Sequence, residues 1–259
     1  MNQLTFLGTG TSQGVPIIGC MCRVCQSTNS KDKRMRSAVW LHLNGKNIII
    51  DAGPDFRMQM LQHQINDVAA IFITHDHSDH IAGLEDVRPY NFRQKKPMPL
   101  YATLKTEQSL RKRYAYAFQK NPYPGSPSFE FVRINKNKKF TLNDIIFQPI
   151  EVVHGFNTKV IGFRFGDVTY ITDCKYIVPK EFKKLVGTKI LIINALHHNE
   201  HHAHLNLKEA IALSEQLQPE QTFFTHISHG MGLHDEVCAM LPENICPAYD
   251  GLKLILSQD

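Results

Sequence analysis

The sequence predicts an α/β protein built as two β-sheets packed face to face, with helices on the outer faces. Three observations lead there. Short apolar runs alternate with amphipathic stretches from end to end. Strand-rich blocks with interspersed helices occur in both halves. Finally, Ile71-Phe72-Ile73-Thr74-His75 and Thr222-Phe223-Phe224-Thr225-His226 look alike, each a buried strand ending in Thr-His, which hints at an internal duplication. With 259 residues, 42% of them hydrophobic, a single domain over 1–259 is expected.

Taken in order, residues 4–7, 39–43 and 47–51 read as strands, the last two joined by Asn44-Gly45, the dipeptide a tight hairpin prefers. Residues 68–74 form another strand, a short helix opens near Ile81, and 103–119 reads as a helix rich in Arg, Lys and Tyr. The breaker cluster at 121–127 must be loop. The stretch 87–127 as a whole is taken as a lid-like insert. In the second half, strands are expected at 145–153, 160–165, 168–172, 190–194 and 222–225, with helices at 179–185 and 206–217. Asn206 with Glu209 three residues on is a capping box for the latter. A hairpin around Asp250-Gly251 ends the chain. Trp40, Met58, Met60 and Leu61 are assigned to the core, and Cys174, Cys238 and Cys246 to packing.

Lys and Arg number 29 against 24 Asp and Glu, a net charge of +5. That suits an anionic substrate and is too small to argue for a stable nucleic-acid partner. No apolar run approaches the roughly 20 residues that span a bilayer, so no membrane partner is expected. The first residues show no basic region followed by a long apolar one, and a cytoplasmic location is expected. A homodimer stays open. Fourteen histidines are the outstanding compositional fact and raise the expectation of a metalloenzyme. Of six cysteines, Cys20, Cys22 and Cys25 crowd together as metal ligands do, in a knuckle near 19–36.

The strongest signal is Thr74-His75-Asp76-His77-Ser78-Asp79-His80. In an extended loop His75, His77 and Asp79 project to one side, and His80 follows as the chain turns into a helix. Three imidazoles and a carboxylate are too many for one open catalytic zinc, which takes three protein ligands and a water, but they suit two adjacent metals. Left solvated beside a buried strand, they would be costly. Further ligands stand at strand ends: His154, Asp173 and His226.

The T-H-x-H-x-D-H motif resembles that of the metallo-β-lactamase superfamily, and the resemblance runs the length of the chain. It implies an αββα sandwich, with His75, His77 and His154 on a first metal, Asp79, His80 and His226 on a second, and Asp173 between them. Asp79 is also counted among the catalytic groups, and Asp51 supports the site without binding metal. Asp173, where secreted lactamases use Cys, looks like a hydrolase of esters or phosphodiesters. The resemblance is nearest to PhnP-type cyclic phosphodiesterases, in which the same C-x-C-x-x-C follows a Gly-Thr-Gly loop, here Gly8-Thr9-Gly10. It implies His229 as the fourth ligand of a structural zinc, and two catalytic divalent metals, zinc or manganese.

The expected substrate is a small phosphodiester, a cyclic ribose or nucleotide phosphate. Its leaving alkoxide needs a proton donor. By the same resemblance this is a His ahead of the helix at 206, with His204 first and His202 second. Arg111 and Arg113 in the basic and aromatic stretch 111–116 are candidates to hold phosphate. A tRNase Z-like endoribonuclease is the rival enzyme, but only 53 residues separate Asp173 from His226, too few for its protruding arm. A thioesterase or lactonase on the same fold is a further alternative. An RNA-binding zinc knuckle with a vestigial metal centre is the non-enzymatic one, and the filling of all seven ligand positions speaks against it.

Overall fold

The computed structural model describes residues 1–256. Its first-half strands are β1 (Asn2–Gly8), β2 (Ala38–Leu43), β3 (Lys46–Ile50), β4 (Ala70–Phe72), β5 (Met98–Ala102) and β6 (Phe129–Arg133). The second half has β7 (Phe140–Leu142), β8 (Ile145–His154), β9 (Thr158–Phe165), β10 (Val168–Ile171), β11 (Ile190–Asn194), β12 (Gln221–Thr225) and β13 (Ile245–Pro247). Strand β14 (Lys253–Leu256) returns to the first sheet. The sheets run β14-β1-β2-β3-β4-β5-β6 and β13-β12-β11-β10-β9-β8-β7.

Alternation of side chains decides the layering. Ile48 and Ile50 face the second sheet and join Phe6, Phe72, Phe147, Phe163 and Phe223 in the central core, while Ile49 faces outward. On the second sheet Ile192 and Phe223 point inward and Leu191, Ile193 and Phe224 outward. Each outer face is apolar and needs a cover. On the first sheet this comes from α2 (Phe56–Gln62), α4 (Arg88–Gln94) and α5 (Leu104–Arg113), and on the second from α7 (Leu207–Leu217) and α8 (His234–Met240). The single-turn helices α1 (Arg23–Gln26), α3 (Ser78–Ile81) and α6 (Pro179–Phe182) complete the set. The expected αββα sandwich is what the chain builds. Among the described residues no helix is long and apolar enough to cross a membrane.

Both sheets follow one plan. From β14 to β3 neighbours are antiparallel, and from β3 to β6 parallel. From β7 to β10 they are antiparallel, and from β10 to β13 parallel. The direction thus changes at β3 and at β10, whose C-terminal ends lead to Asp51 and Asp173. The two Thr-His runs occupy different places in this plan: β4 adjoins the switch strand of its sheet, whereas β12 lies one strand further out. The repeat suggested by the sequence exists in topology, but those runs are not its matching parts.

Other expectations give way locally. The lid-like insert at 87–127 contains β5, which pairs in parallel with β4 and β6 and buries Met98, Leu100 and Ala102. Its middle is therefore sheet. The helix expected over 103–119 ends at Tyr114, whose buried hydroxyl donates to the Ile81 carbonyl at 2.7 Å, and a 3₁₀ turn follows at Ala115–Phe118. The helix expected over 179–185 is the single turn α6. Met58 and Leu61 are exposed, because α2 turns only Phe56, Gln59 and Met60 inward. Trp40 is half-buried, its indole N–H donating to Asn47 Oδ1 at 3.0 Å. Cys174 is fully buried, Cys238 and Cys246 only partly. The capping box of α7 forms with both bonds, at 2.8 and 2.9 Å.

The loop after β3 lies directly on α3, and two glycines permit it. A Cβ on Gly53 would run into the Asp79 carbonyl, and one on Gly83 into the Gly53 carbonyl. Gly83→Ala should therefore destabilise the chain by about 1–3 kcal/mol. A lower denaturant midpoint at unchanged slope is expected, and an unchanged midpoint would refute the close contact.

Candidate metal centre

Ligands of open α/β sheets gather beyond the C-terminal ends of the strands, where the strand order switches. Here the two sheets bring such ends together. Asp51 follows β3; His75, His77, Asp79 and His80 follow β4; His154 closes β8; Asp173 follows β10; and His226 follows β12. Asp51, Asp173 and His226 all adopt left-handed backbone, with φ of 67°, 50° and 54°. Such conformations cost about 1–3 kcal/mol each and persist where the surroundings over-determine them.

Among the described residues the ligand atoms here fall into three overlapping groups, each within 4.8 Å: His75, His77 and His154; Asp79, His80, Asp173 and His226; and His154, Asp173 and His204. Asp173 stands in the last two. Its Oδ2 lies 3.1 Å from His80 Nε2, and its Oδ1 lies 3.2 Å from His226 Nε2 and 4.0 Å from His154 Nε2. The Nε2 atoms of His75, His80 and His226 are buried without a hydrogen-bond partner. Buried polar atoms are rarely left so, and aligned imidazole nitrogens beside two carboxylates are a donor set that divalent metal ions satisfy. The residues fit the metals that the fold implies.

Behind the ligands, Asp51 sets the tautomers. It is fully buried, accepts from His80 Nδ1 at 2.6 Å, and accepts both the amide and the hydroxyl of Thr74 at 2.9 Å. With its hydroxyl proton committed to Asp51, Thr74 accepts from His75 Nδ1 at 3.0 Å. His154 Nδ1 donates to the Ala203 carbonyl at 2.8 Å. All three rings thus turn Nε2 toward the centre. The Ala203 carbonyl is a supporting group that sequence reasoning missed, and being backbone it leaves no signal in residue type.

Electrostatics follow from crowding. Burial disfavours the charged forms of Asp79 and Asp173, but His80 and His226 outweigh it and hold both carboxyls far below the usual range. Burial opposes charge on His80 as well, yet Asp79, Asp173 and Asp51 raise it well above an ordinary histidine. Burial, then His80, pushes His75 down, and burial lowers His154. Binding of a divalent ion to such a set is coupled to the loss of any proton its ligands carry.

The cysteines build a second cluster. The Sγ atoms of Cys20, Cys22 and Cys25 lie 3.3, 3.4 and 3.5 Å from His229 Nδ1. Tetrahedral zinc with bonds of about 2.3 Å to sulfur and 2.0–2.1 Å to nitrogen sets these atoms about 3.5 Å apart, so the cluster has the required size. Backbone amides point at the sulfurs, Cys25 N–H to Cys22 Sγ and Ile17 N–H to Cys25 Sγ, both at 3.4 Å. The Cys25 amide, with Cys20 and His229, brings the Cys22 thiol down to about 6, whereas burial pushes Cys25 up to about 11.

The remaining expected residues separate. His204 is buried, with Nδ1 3.8 Å from Asp173 Oδ1 and its ring stacked on His226 at 4.7 Å. His202 is exposed, and its ring meets Phe156 and His201 instead. Arg113 reaches Ser78 Oγ at 3.1 Å, beside the ligand loop. Arg111 is turned away: Glu107 takes its Nε at 2.9 Å and its guanidinium lies over Phe118 and Phe131. The phosphate-holding role expected for Arg111 is therefore withdrawn.

Because one carboxylate organises two ligands, Asp51→Asn should weaken metal binding about 10- to 100-fold while the fold survives. An amide cannot accept on both sides, so one of its three donors loses its acceptor. Chelator competition measures the affinity, and an unchanged value would refute the role.

Residues 46–227 match the model of the beta-lactamase superfamily domain. The octanoyltransferase of Porphyromonas gingivalis (strain ATCC BAA-308 / W83) is 36% identical over 254 residues, which cover 97% of this chain and 51% of that protein. The chain thus spans about half the length of this curated relative. Among solved structures, a diphosphatase from the PhnP family superposes with a TM-score of 0.92 at 40% identity, covering 99% of this chain and 98% of that one. Zinc-bound PqqB from Methylobacterium extorquens shares the fold, with a TM-score of 0.82, 18% identity and coverage of 98% and 100%. On the matched domain and the full-length likeness at 40% identity, the chain belongs to the metallo-β-lactamase superfamily and, within it, to the PhnP family.

Proposed function

We propose that this protein is a dinuclear metal-dependent hydrolase of small phosphodiesters, with a separate structural zinc in its cysteine knuckle. The observation that carries this reading is the carboxylate of Asp173, whose Oδ2 lies beside His80 and whose Oδ1 lies beside both His226 and His154. His75, His77 and His154 would hold one ion, Asp79, His80 and His226 the other, and Asp173 both. When bound, such a pair supplies Lewis acidity that activates water near neutral pH and offsets phosphoryl charge. The similar diphosphatase of the PhnP family supports phosphoryl chemistry.

One of the chain's own residues is placed to relay the proton. His204 stands at the rim of the centre, within 3.8 Å of Asp173. Burial and then His226 push its imidazole down to about 2, so it rests neutral. An anionic diester bound beside it would favour the imidazolium, formed with a proton taken from solvent water, and that proton then passes to the leaving alkoxide. His202, exposed and turned to Phe156, is the weaker candidate.

A small substrate accords with the segment between Asp173 and His226, which α6, β11, the histidine-rich loop 197–204, α7 and β12 fill without a protruding arm. For acyl transfer, the activity named for the Porphyromonas relative, the two residues that follow Asp173 offer no ready nucleophile. Cys174, beside Asp173, is fully buried, and burial drives its thiol far up. Lys175 is paired with Glu209 at 2.7 Å.

The test is turnover by metal-loaded protein of an aryl phosphodiester, cyclic nucleotides, a phosphomonoester and a thioester. Diester hydrolysis is expected, and thioester hydrolysis alone would overturn the reading. His204→Ala should slow diesters with poor alkoxide leaving groups by roughly 10²- to 10⁴-fold and aryl diesters far less, with both metals retained. Equal losses on the two would refute a proton donor. Asp173→Ala should abolish both reactions. In the knuckle, Cys22→Ser should lower zinc content and melting temperature together, and a variant unchanged in both would refute structural zinc.

A further inference from the structure

The cluster of His154, Asp173 and His204 has no task in the dinuclear arrangement. His154 Nε2 and His204 Nδ1 lie 4.0 and 3.8 Å from the same oxygen, Oδ1 of Asp173, and the two rings are 4.5 Å apart. His204 is 8% exposed, and its Nδ1 is buried without a hydrogen-bond partner. Such atoms are rarely left so. Two imidazoles around one carboxylate oxygen are a set that a divalent cation satisfies. Membership limits what the cluster can hold. It shares His154 with the site of His75 and His77, and Asp173 with the site of Asp79, His80 and His226. A resident ion of its own would compete with both, whereas an ion in passing would not.

The two sites differ in how they are reached. His77 is exposed, so the first site is open to water. The second is closed, with the side chains of His80, Asp173 and His226 exposed by 0%, 2% and 1% and that of Asp79 by 12%. His204 stands between the closed site and solvent. Outward, its ring lies 5.2 Å from half-buried His201, which lies 4.5 Å from exposed His202. Inward, it stacks on His226 at 4.7 Å. Asp173 Oδ1, 3.8 Å from His204 Nδ1, is 3.2 Å from His226 Nε2. One carboxylate oxygen therefore faces a ligand atom on each side of the step inward.

We propose that His204, with His154 and Asp173, is an entry port for the closed site, where a divalent cation is held first and from which it passes inward while Asp173 keeps hold of it. This rests on the dinuclear reading above and adds the route by which the buried ion arrives. A port must bind well enough to admit and weakly enough to release. Three ligands, two of them shared with the permanent sites, hold less firmly than the four of the closed site. Imidazole and carboxylate together suit zinc, cobalt(II) or manganese, and three ligands are too few for calcium. With both ions in place His204 is released for proton donation, so one side chain serves loading and turnover at different times.

The test is the kinetics of cobalt(II) uptake by protein whose centre has been stripped by a chelator. Absorption of imidazole- and carboxylate-bound cobalt follows the centre, and thiolate charge-transfer bands report the knuckle separately. The parent should load in two phases, a fast one for the open site and a slow one for the closed site. His204→Gln, which fills the space without a good ligand, should slow the second phase about tenfold, the loss of about 1.4 kcal/mol of binding at the port. The first phase, the binding of both ions at equilibrium and the melting temperature should not change. His204→Glu restores a ligand atom and should recover the slow phase. A single phase in the parent, a second phase of unchanged rate in His204→Gln, or an equal slowing in His204→Glu overturns the port alone. So does a His204→Gln protein that holds only one ion at equilibrium, since His204 would then be a resident ligand. A parent that takes up fewer than two ions at the centre overturns the dinuclear reading and the port with it.

Discussion

The centre depends on one buried carboxylate, Asp51. It lies outside solvent with no Lys or Arg among its hydrogen-bond partners, takes three donors from Thr74 and His80, and sits in left-handed backbone. Burial pushes its carboxyl up while His80 and Thr74 draw it back. Such a group is stable only inside a satisfied network, and the network it satisfies is the ligand set. His80 is oriented directly, and His75 through the Thr74 hydroxyl. The same contacts tie β3 to the loop beyond β4, so the geometry of the site and the pairing of the sheet are one arrangement.

The second sheet repeats the device with a different outcome. Asp173 follows the strand at which pairing turns parallel, as Asp51 does, and has the same left-handed backbone. Its carboxylate, however, faces His80, His154 and His226 rather than supporting them from behind. Two equivalent corners of a repeated plan thus supply one carboxylate that supports candidate ligands and one that is grouped with them. What separates them is the company each keeps: Thr74 and its own sheet for Asp51, the facing sheet for Asp173.

Much of this was legible in the chain because it is local. The T-H-x-H-x-D-H and C-x-C-x-x-C spacings, the Asn44-Gly45 hairpin and the Asn206 cap express short-range geometry, and they appear where expected. What escaped depends on distant partners. Strand β5 reads Met98-Pro-Leu-Tyr-Ala, and a proline within a strand argues against a central place; only pairing with β4 and β6 reveals it. Arg111 and Arg113 share a basic stretch, and which one turns to the ligand loop is settled by Glu107 and Phe118, not by composition. The choice between His204 and His202 is likewise a matter of loop path: two residues ahead of the α7 cap the ring is inside, and four ahead it is at the surface.

The cysteine knuckle belongs to the same argument, because it shares a strand end with the metal centre. His226 and His229 stand three residues apart, and between them Ile227 donates to the Thr9 carbonyl at 2.8 Å and accepts from Thr11 at 3.1 Å. That segment is therefore stitched to the loop after β1, on the opposite sheet, and His229 ends it against Cys20, Cys22 and Cys25. The apolar support there is slight, with Val15 and Val24 beside the buried Cys25. A few side chains of that size cannot hold two sheets together at an open mouth, whereas four ligands on one ion can. A zinc ion held there, as proposed, would fix the backbone on which His226 depends, and loosening the knuckle would reach the candidate metal centre through three residues of chain.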